Sequence, residues 1–245
     1  MSCPRSPRNG YMDVRPDPGT SLAQPCIADT SLLSNFVHTG YTYLLHRLLP
    51  EPVLLSPTVL DPAEVLLPRP YTQALRSEFL RPLHMASLPG YEDYQAVAPL
   101  IQGFAFGSGH LWRPVELTSQ EAALAYELSE KRAWDRCRDS PGRYRRRRVD
   151  PGEAEAAAVA VCRGWTLLAD DQAIIDLLRC LYPQVPVVRT CVLLQAAVQS
   201  GHVPCAEASH LFNEVLPGRG FYVRKGEQVL RLRCSPPRCA WEEPS

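Results

Sequence analysis

The side chains in this chain with the clearest chemical potential are acids placed at the ends of apolar runs. Asp29 closes QPCIA, and Asp170 with Asp171 closes TLLA. Asp61 and Glu64 follow PVLLSP by a few residues, and Glu153 and Glu155 open the Ala-rich stretch GEAEAAAVAVCR. Each acid has an ordinary structural reading. Asp29 and Asp171 are good helix N-caps. Asp61-Pro62-Ala63-Glu64 has the form of an N-cap, an N1 proline and a capping-box acid. Glu153 and Glu155 suit the positive end of a helix. Local readings leave the shared location unexplained. Carboxylates gathered at one sheet edge repel one another unless a cation joins them. Hard oxygen donors of this kind suit Mg²⁺ or Mn²⁺, which can activate water and clamp a phosphodiester.

Arginine supplies the second chemical feature. The chain has 26 basic and 26 acidic side chains, and Lys131 and Lys225 are the two lysines. Between positions 131 and 148, nine bases stand against Asp135 and Asp139, a local net charge of +7 in a neutral chain. Arg143, Arg145, Arg146, Arg147 and Arg148 form a nearly unbroken run just before the Ala-rich stretch. Guanidinium forks pair well with phosphate, and Tyr144 inside the run can stack on a base. A solvated charged face is the plainer reading, and the position beside the acids favours RNA contact.

The elements that must carry these groups read as alternating apolar strands and amphipathic helices. A strand ends near Ala28, and a helix capped by Asp29 or Ser31 runs on towards Leu49. PVLLSP reads as a second strand before the short helix start TVLDPAEVLL. TLLAD precedes the helical DQAIIDLLRCLY, and VPVVRT precedes CVLLQAAVQSGHV. Residues 119–134, after the short run PVEL, and residues 152–163 read as further helices. Strands alternating with helices predict an α/β fold with a mostly parallel sheet covered on both faces. Ligands in such a sheet collect beyond the carboxyl ends of the strands, where these acids fall.

The 245 residues predict one large domain with extensions. Residues 1–24, rich in proline and polar side chains, read as a disordered extension. Residues 25–232 form the domain, with an irregular, proline-punctuated insertion at about 68–113. Residues 233–245 read as a loose tail. With 45% hydrophobic and 21% charged residues, the chain can bury a core. No apolar run reaches the ~18 residues of a membrane span, and no signal-peptide stretch opens the chain. Nine cysteines without a tight framework read as reduced thiols in a cytoplasmic protein, Cys26, Cys162, Cys180 and Cys191 as core residues. His202-x-x-Cys205 and Cys234-x₄-Cys239 match zinc spacing only loosely, and no phosphate-binding glycine loop occurs.

Four blocks in order bring a resemblance into view. CIADTSLLSNF resembles the opening of PIN-domain nucleases, a strand ending in Asp-Thr-Ser before a helix with a nearby Asn, here Asn35. VDPGEAEAAAVAV resembles the Gly-Glu-Ala-Glu-Ala helix of one branch of that family, and GWTLLADDQAIIDLL its next strand and paired aspartates. QVPVVRTCVLLQAAVQSGHVPCAEASHLFNEVLPGRGFYV looks like that branch's last strand and helices. Together the blocks span most of residues 25–225. The chain departs from the pattern in its N-terminal extension, in the 68–113 insertion and in Ala169, where a Thr often precedes the aspartates.

The resemblance implies a PIN-like three-layer α/β/α fold and a Mg²⁺- or Mn²⁺-dependent ribonuclease of the VapC toxin type. It assigns the catalytic acids to Asp29, Glu155 and Asp171, with Asp170 and Glu153 beside them. The second acid of the set falls on Glu64 in preference to Asp61. RNA as substrate, an antitoxin-like inhibitor and a homodimer are implied as partners. The rival expectation is a PIN-like module that binds RNA or protein without turnover, favoured if neither Asp61 nor Glu64 points into the site.

Overall fold

The computed structural model describes residues 25–49, 52–65, 76–86, 88–90, 92–106, 112–137, 148–221, 223–225 and 227–243. Five short strands form one parallel sheet: β1 (Cys26–Ala28), β2 (Val53–Leu55), β3 (Trp112–Pro114), β4 (Thr166–Leu168) and β5 (Val187–Val188), in the order β3-β2-β1-β4-β5. Successive side chains of a strand point to opposite faces, and the cores follow that alternation. Cys26, Ala28, Val53, Leu55, Leu168 and Val188 pack into one core, while Ile27 and Leu167 belong to the other. Short apolar strands buried on both sides are what a parallel sheet between two helical layers requires.

The first layer holds α1 (Thr30–Thr39) and α2 (Thr42–Leu48), which cross from β1 to β2. Asp29 caps α1 by accepting from the Leu32 amide, and Gly40 ends the helix at φ 78°. That left-handed conformation is one glycine adopts without strain. The crossover from β2 to β3 contains α3 (Pro62–Val65), α4 (Arg81–Met85) and α5 (Glu92–Phe106). Leu83, Val97 and Ile101 from this segment join the first core. The stretch expected as an irregular insertion therefore supplies a 15-residue helix and ends in an edge strand of the sheet.

The second layer holds α6 (Ser119–Ser129), the 3₁₀ turn Lys131–Cys137, α7 (Pro151–Arg163) and α8 (Gln172–Leu181). Alanines make α7 slender, and Ala154 through Val161, Glu155 aside, are buried as the helix lies against the sheet. Past β5, α9 (Thr190–Gln199) and α10 (Cys205–His210) lead through a π turn at Leu211–Val215 into α11 (Leu216–Gly218).

Two expectations are corrected at the C-terminus. The tail is no loose end: β6 (Arg224–Lys225), β7 (Gln228–Cys234) and β8 (Pro237–Glu242) form an antiparallel sheet whose Leu230 and Leu232 enter the first core. Nor are most of the cysteines reduced. Cys137–Cys180, Cys191–Cys239 and Cys205–Cys234 are disulfides with Cα separations of 5.9, 6.1 and 5.6 Å, Cys162 is also disulfide-bonded, and Cys26 is a buried thiol outside these bridges. Apolar placement hid the pairing, because cysteines in buried runs of different elements meet only after folding. No helix among the described residues is long and apolar enough to cross a membrane. The first 24 residues lie outside the described residues.

Candidate functional site

The sheet changes winding direction between β1 and β4. The chain leaves β1 towards β2 through the first layer and leaves β4 towards β5 through the second. Such a switch point opens a crevice beyond the strand ends. Asp29 stands one residue past β1, and Asp170 and Asp171 stand two and three residues past β4. The Asp29 amide donates to the Leu168 carbonyl at 3.0 Å, which pins the two strand ends together.

Burial makes these acids unusual. Asp29 is 1% exposed and accepts from the Leu32 amide at 2.9 Å and the Ser31 hydroxyl at 2.8 Å. Desolvation pushes its carboxyl up to about 7, with Asp170 and Asp171 adding repulsion against those two hydrogen bonds. Asp170 is buried and well partnered. It accepts from the Thr190 amide at 3.1 Å, the Thr190 hydroxyl and the Asn35 amide at 3.2 Å. Its carboxyl is also raised by burial, opposed by Arg189, whose guanidinium donates to the Asp170 carbonyl at 3.0 Å. Asp170 thus orients Asn35 and Thr190, while Asp171 caps α8 through the Ala173 amide and stays partly open.

The helix acid that joins this group is Glu153. Its carboxylate accepts from the Asp150 amide at 3.2 Å, closing the first turn of α7. Burial pushes it up to about 9, and the charges of Asp171, Asp29 and Asp150 add to the shift. Glu155, which the sequence placed first, turns elsewhere. Both its oxygens are taken by Thr58, one by the amide at 2.9 Å and one by the hydroxyl at 2.8 Å.

Asp61 and Glu64 are also engaged away from the cluster. Asp61 accepts from the Ala63 amide at 2.9 Å, as a cap does. Glu64 is buried and accepts from the Arg76 amide at 2.6 Å, the Ser77 amide at 2.8 Å and the Ser77 hydroxyl. Burial works to raise it, but those hydrogen bonds together hold its carboxyl below the usual range. The acid that does approach the site is Glu78, which sequence reasoning missed. It accepts from the hydroxyl of Thr30, the neighbour of Asp29, at 2.6 Å. A Cβ placed on Gly152, the neighbour of Glu153, would lie 2.9 Å from a Glu78 oxygen. Glycine at that position lets the carboxylate approach the helix.

The braces and the missed acid form one unit. The Glu78 and Phe79 amides donate to the Thr58 and Val59 carbonyls at 3.0 Å each. Glu155 holds the Thr58 side of that pairing, and Glu64 holds Arg76 and Ser77 just before Glu78. One signal was available in the sequence: SEFL puts an acid directly before an apolar pair. Some 23 residues and several prolines separate it from β2, so spacing alone did not connect it to the strand.

The donors near this edge are carboxylate oxygens, and a dication would offset the desolvation and repulsion that raise Asp29 and Glu153. Among the described residues, no group of three or more His, Cys, Asp or Glu side chains is arranged to hold a metal ion as the carboxylates stand. Arg148 is exposed beside this helix, whereas Arg143, Tyr144, Arg145, Arg146 and Arg147 lie outside the described residues. No family profile, curated protein or solved structure matches the chain.

Proposed function

We propose that the chain is a PIN-like endoribonuclease that hydrolyses RNA phosphodiester bonds with Mg²⁺ or Mn²⁺. One observation supports this above others: Asp29, Asp171 and Glu153, with Glu78 beside them, converge where the sheet changes direction. The buried Asp29 carboxyl, raised to about 7, and the half-buried Glu153 carboxyl, raised to about 9, are unstable as neighbouring anions and suit a cation ligand set. Asp29, Asp171 and Glu153 would draw together around the metal, with Glu78 at their flank, and the metal would supply Lewis acidity towards the phosphodiester. The protein's own part is orientation. Leu32 and Ser31 fix the Asp29 carboxylate, and Asp170 fixes Asn35 and Thr190 at its flank. The arginine run ending at Arg148 would hold the RNA backbone. An antitoxin-like inhibitor and a homodimer belong to the same proposal and rest on the sequence resemblance alone.

A fluorescent single-stranded RNA cleavage assay tests this. Cleavage should require Mn²⁺, stop with EDTA, and fall at least ~10²-fold in Asp171→Asn or Asp29→Asn. Glu78→Gln should fall similarly, whereas wild-type cleavage in Asp171→Asn sinks the assignment. A second reading, an RNA- or protein-binding module without turnover, draws on the engagement of Asp61 and Glu64 away from the acids. RNA binding without cleavage, in protein that takes up no Mn²⁺ by calorimetry, would favour it. Cytoplasmic residence was expected from reduced thiols, and the disulfides remove that support.

A further inference from the structure

Beside the carboxylates, α1 forms one wall of an open groove of about 1110 Å³. α5 contributes Tyr94, Val97 and Leu100 to the groove, and the turn after α11 contributes Arg219 and Phe221. Ser31 and Asn35 line its inner end, and these are the residues that donate to Asp29 and Asp170. The groove therefore runs from the acids along α1, about 13 Å from Ser31 to Gly40 at the helical rise of ~1.5 Å per residue. Near its outer end the His38 ring meets Tyr94 edge-on, with centroids 6.3 Å apart at 74°. Arg219 is exposed there, close enough that its charge adds to burial in lowering the His38 pKa. Among the described residues, no Asp or Glu lines the groove.

A trough with planar rings and an arginine, leading to a phosphodiester-cleaving site, matches a ligand of alternating rings and anions. We propose that this groove binds the unpaired strand of a single-stranded RNA, with a base against Tyr94 and His38 and a phosphate on Arg219. The inference rests on the nuclease reading for its direction, since the strand runs past Ser31 and Asn35 to the acids. Unpaired bases are required because a ring wall can only stack on a base released from its helix. A peptide is the poorer fit. Among the described residues, the walls are helices and one turn with no open strand edge to extend, and Ser31, Ser34, Asn35 and Thr39 interrupt any row of apolar anchors.

The test is fluorescence anisotropy in EDTA with a labelled 12-nucleotide single-stranded RNA, alone and annealed to its complement. Tyr94→Ala should weaken single-strand binding roughly 5- to 100-fold, and Tyr94→Phe should restore it. Arg219→Ala should weaken binding and reduce the slope of log K against log salt by about 0.7. Ser34→Glu, which places an anion in the wall without emptying the core, should weaken it as well. Duplex affinity should be the same in all four variants. Unchanged single-strand affinity in Arg219→Ala and Ser34→Glu, both melting like wild type, overturns the proposal, as does a wild type that prefers the duplex. Cleavage is scored separately in Mn²⁺. Groove-dependent binding without cleavage removes the nuclease reading and keeps the groove, whereas metal-dependent cleavage with groove-independent binding does the reverse.

Discussion

Asp29 and Glu153 hold their protons more tightly in the fold than in the unfolded chain, and the sign of the consequence is fixed. A carboxyl with a raised native pKa binds more protons when folded, so stability falls as pH rises between the unfolded and folded values. For Asp29 that window runs from about 4 to about 7, and for Glu153 from about 4.5 to about 9. The metal-free protein should melt higher at pH 5 than at pH 8, and Mn²⁺ should narrow the gap. Scanning calorimetry in EDTA and in Mn²⁺ reads both effects, and a higher melting temperature at pH 8 in EDTA would contradict them. Glu153→Gln keeps an oxygen for the Asp150 amide and removes the need to take up a proton on folding. Its melting temperature at pH 8 should rise by about 2–4 °C, the size expected for 1 kcal/mol in a chain of this length. The same variant should lose cleavage, so the site would be held at some cost to stability.

Which acids would converge was only partly legible in the sequence, and the element scale explains why. Asp29 and Asp171 follow strands directly, so strand polarity alone placed them at the right edge. Choosing between Glu153 and Glu155 depends on helix phase. Two residues on a helix differ by about 200° in direction at 3.6 residues per turn, and one of the pair must point away. Glu78 depends on tertiary pairing of residues 78–79 with 58–59, which no local pattern announces. That pairing gives a test. Glu64→Gln and Glu155→Gln each weaken a buried, charge-assisted hydrogen-bond set and should cost on the order of 1–2 kcal/mol. Both should lower cleavage by displacing Glu78, while leaving Mn²⁺ binding weakened rather than lost. A titration showing full loss of the metal in Glu155→Gln would return that residue to the ligand set.

At the scale of the whole molecule, the sheet and its two helical layers were legible because short continuous apolar runs and 3.6-period helices alternate along the chain. The C-terminal sheet was not, since CSPPRCAWEEPS carries a loop's composition and its order comes from outside itself. Cys191–Cys239 ties β8 to α9, and Cys205–Cys234 ties β7 to α10. Trp241 of β8 also lies against the Arg189 guanidinium at 5.7 Å, and Arg189 holds Asp170. The hairpin is therefore linked to the flank of the site. Closing a loop of 29 residues contributes on the order of 3 kcal/mol in the chain-entropy account. Replacing Cys205 and Cys234 by serine should lower the melting temperature and increase hydrogen exchange at Thr190 more than in α7. Uniform exchange across both elements would deny the link.

Those two crosslinks also nest, since the span from 205 to 234 lies wholly inside the span from 191 to 239. A trypsin cut after the exposed Arg219 falls within both rings and severs the backbone without releasing either half. The nicked chain should run as one band on a non-reducing gel, heavier by one water in its mass spectrum, and part into two bands once reduced. To a protease, this end of the protein is a knot with its cords already tied.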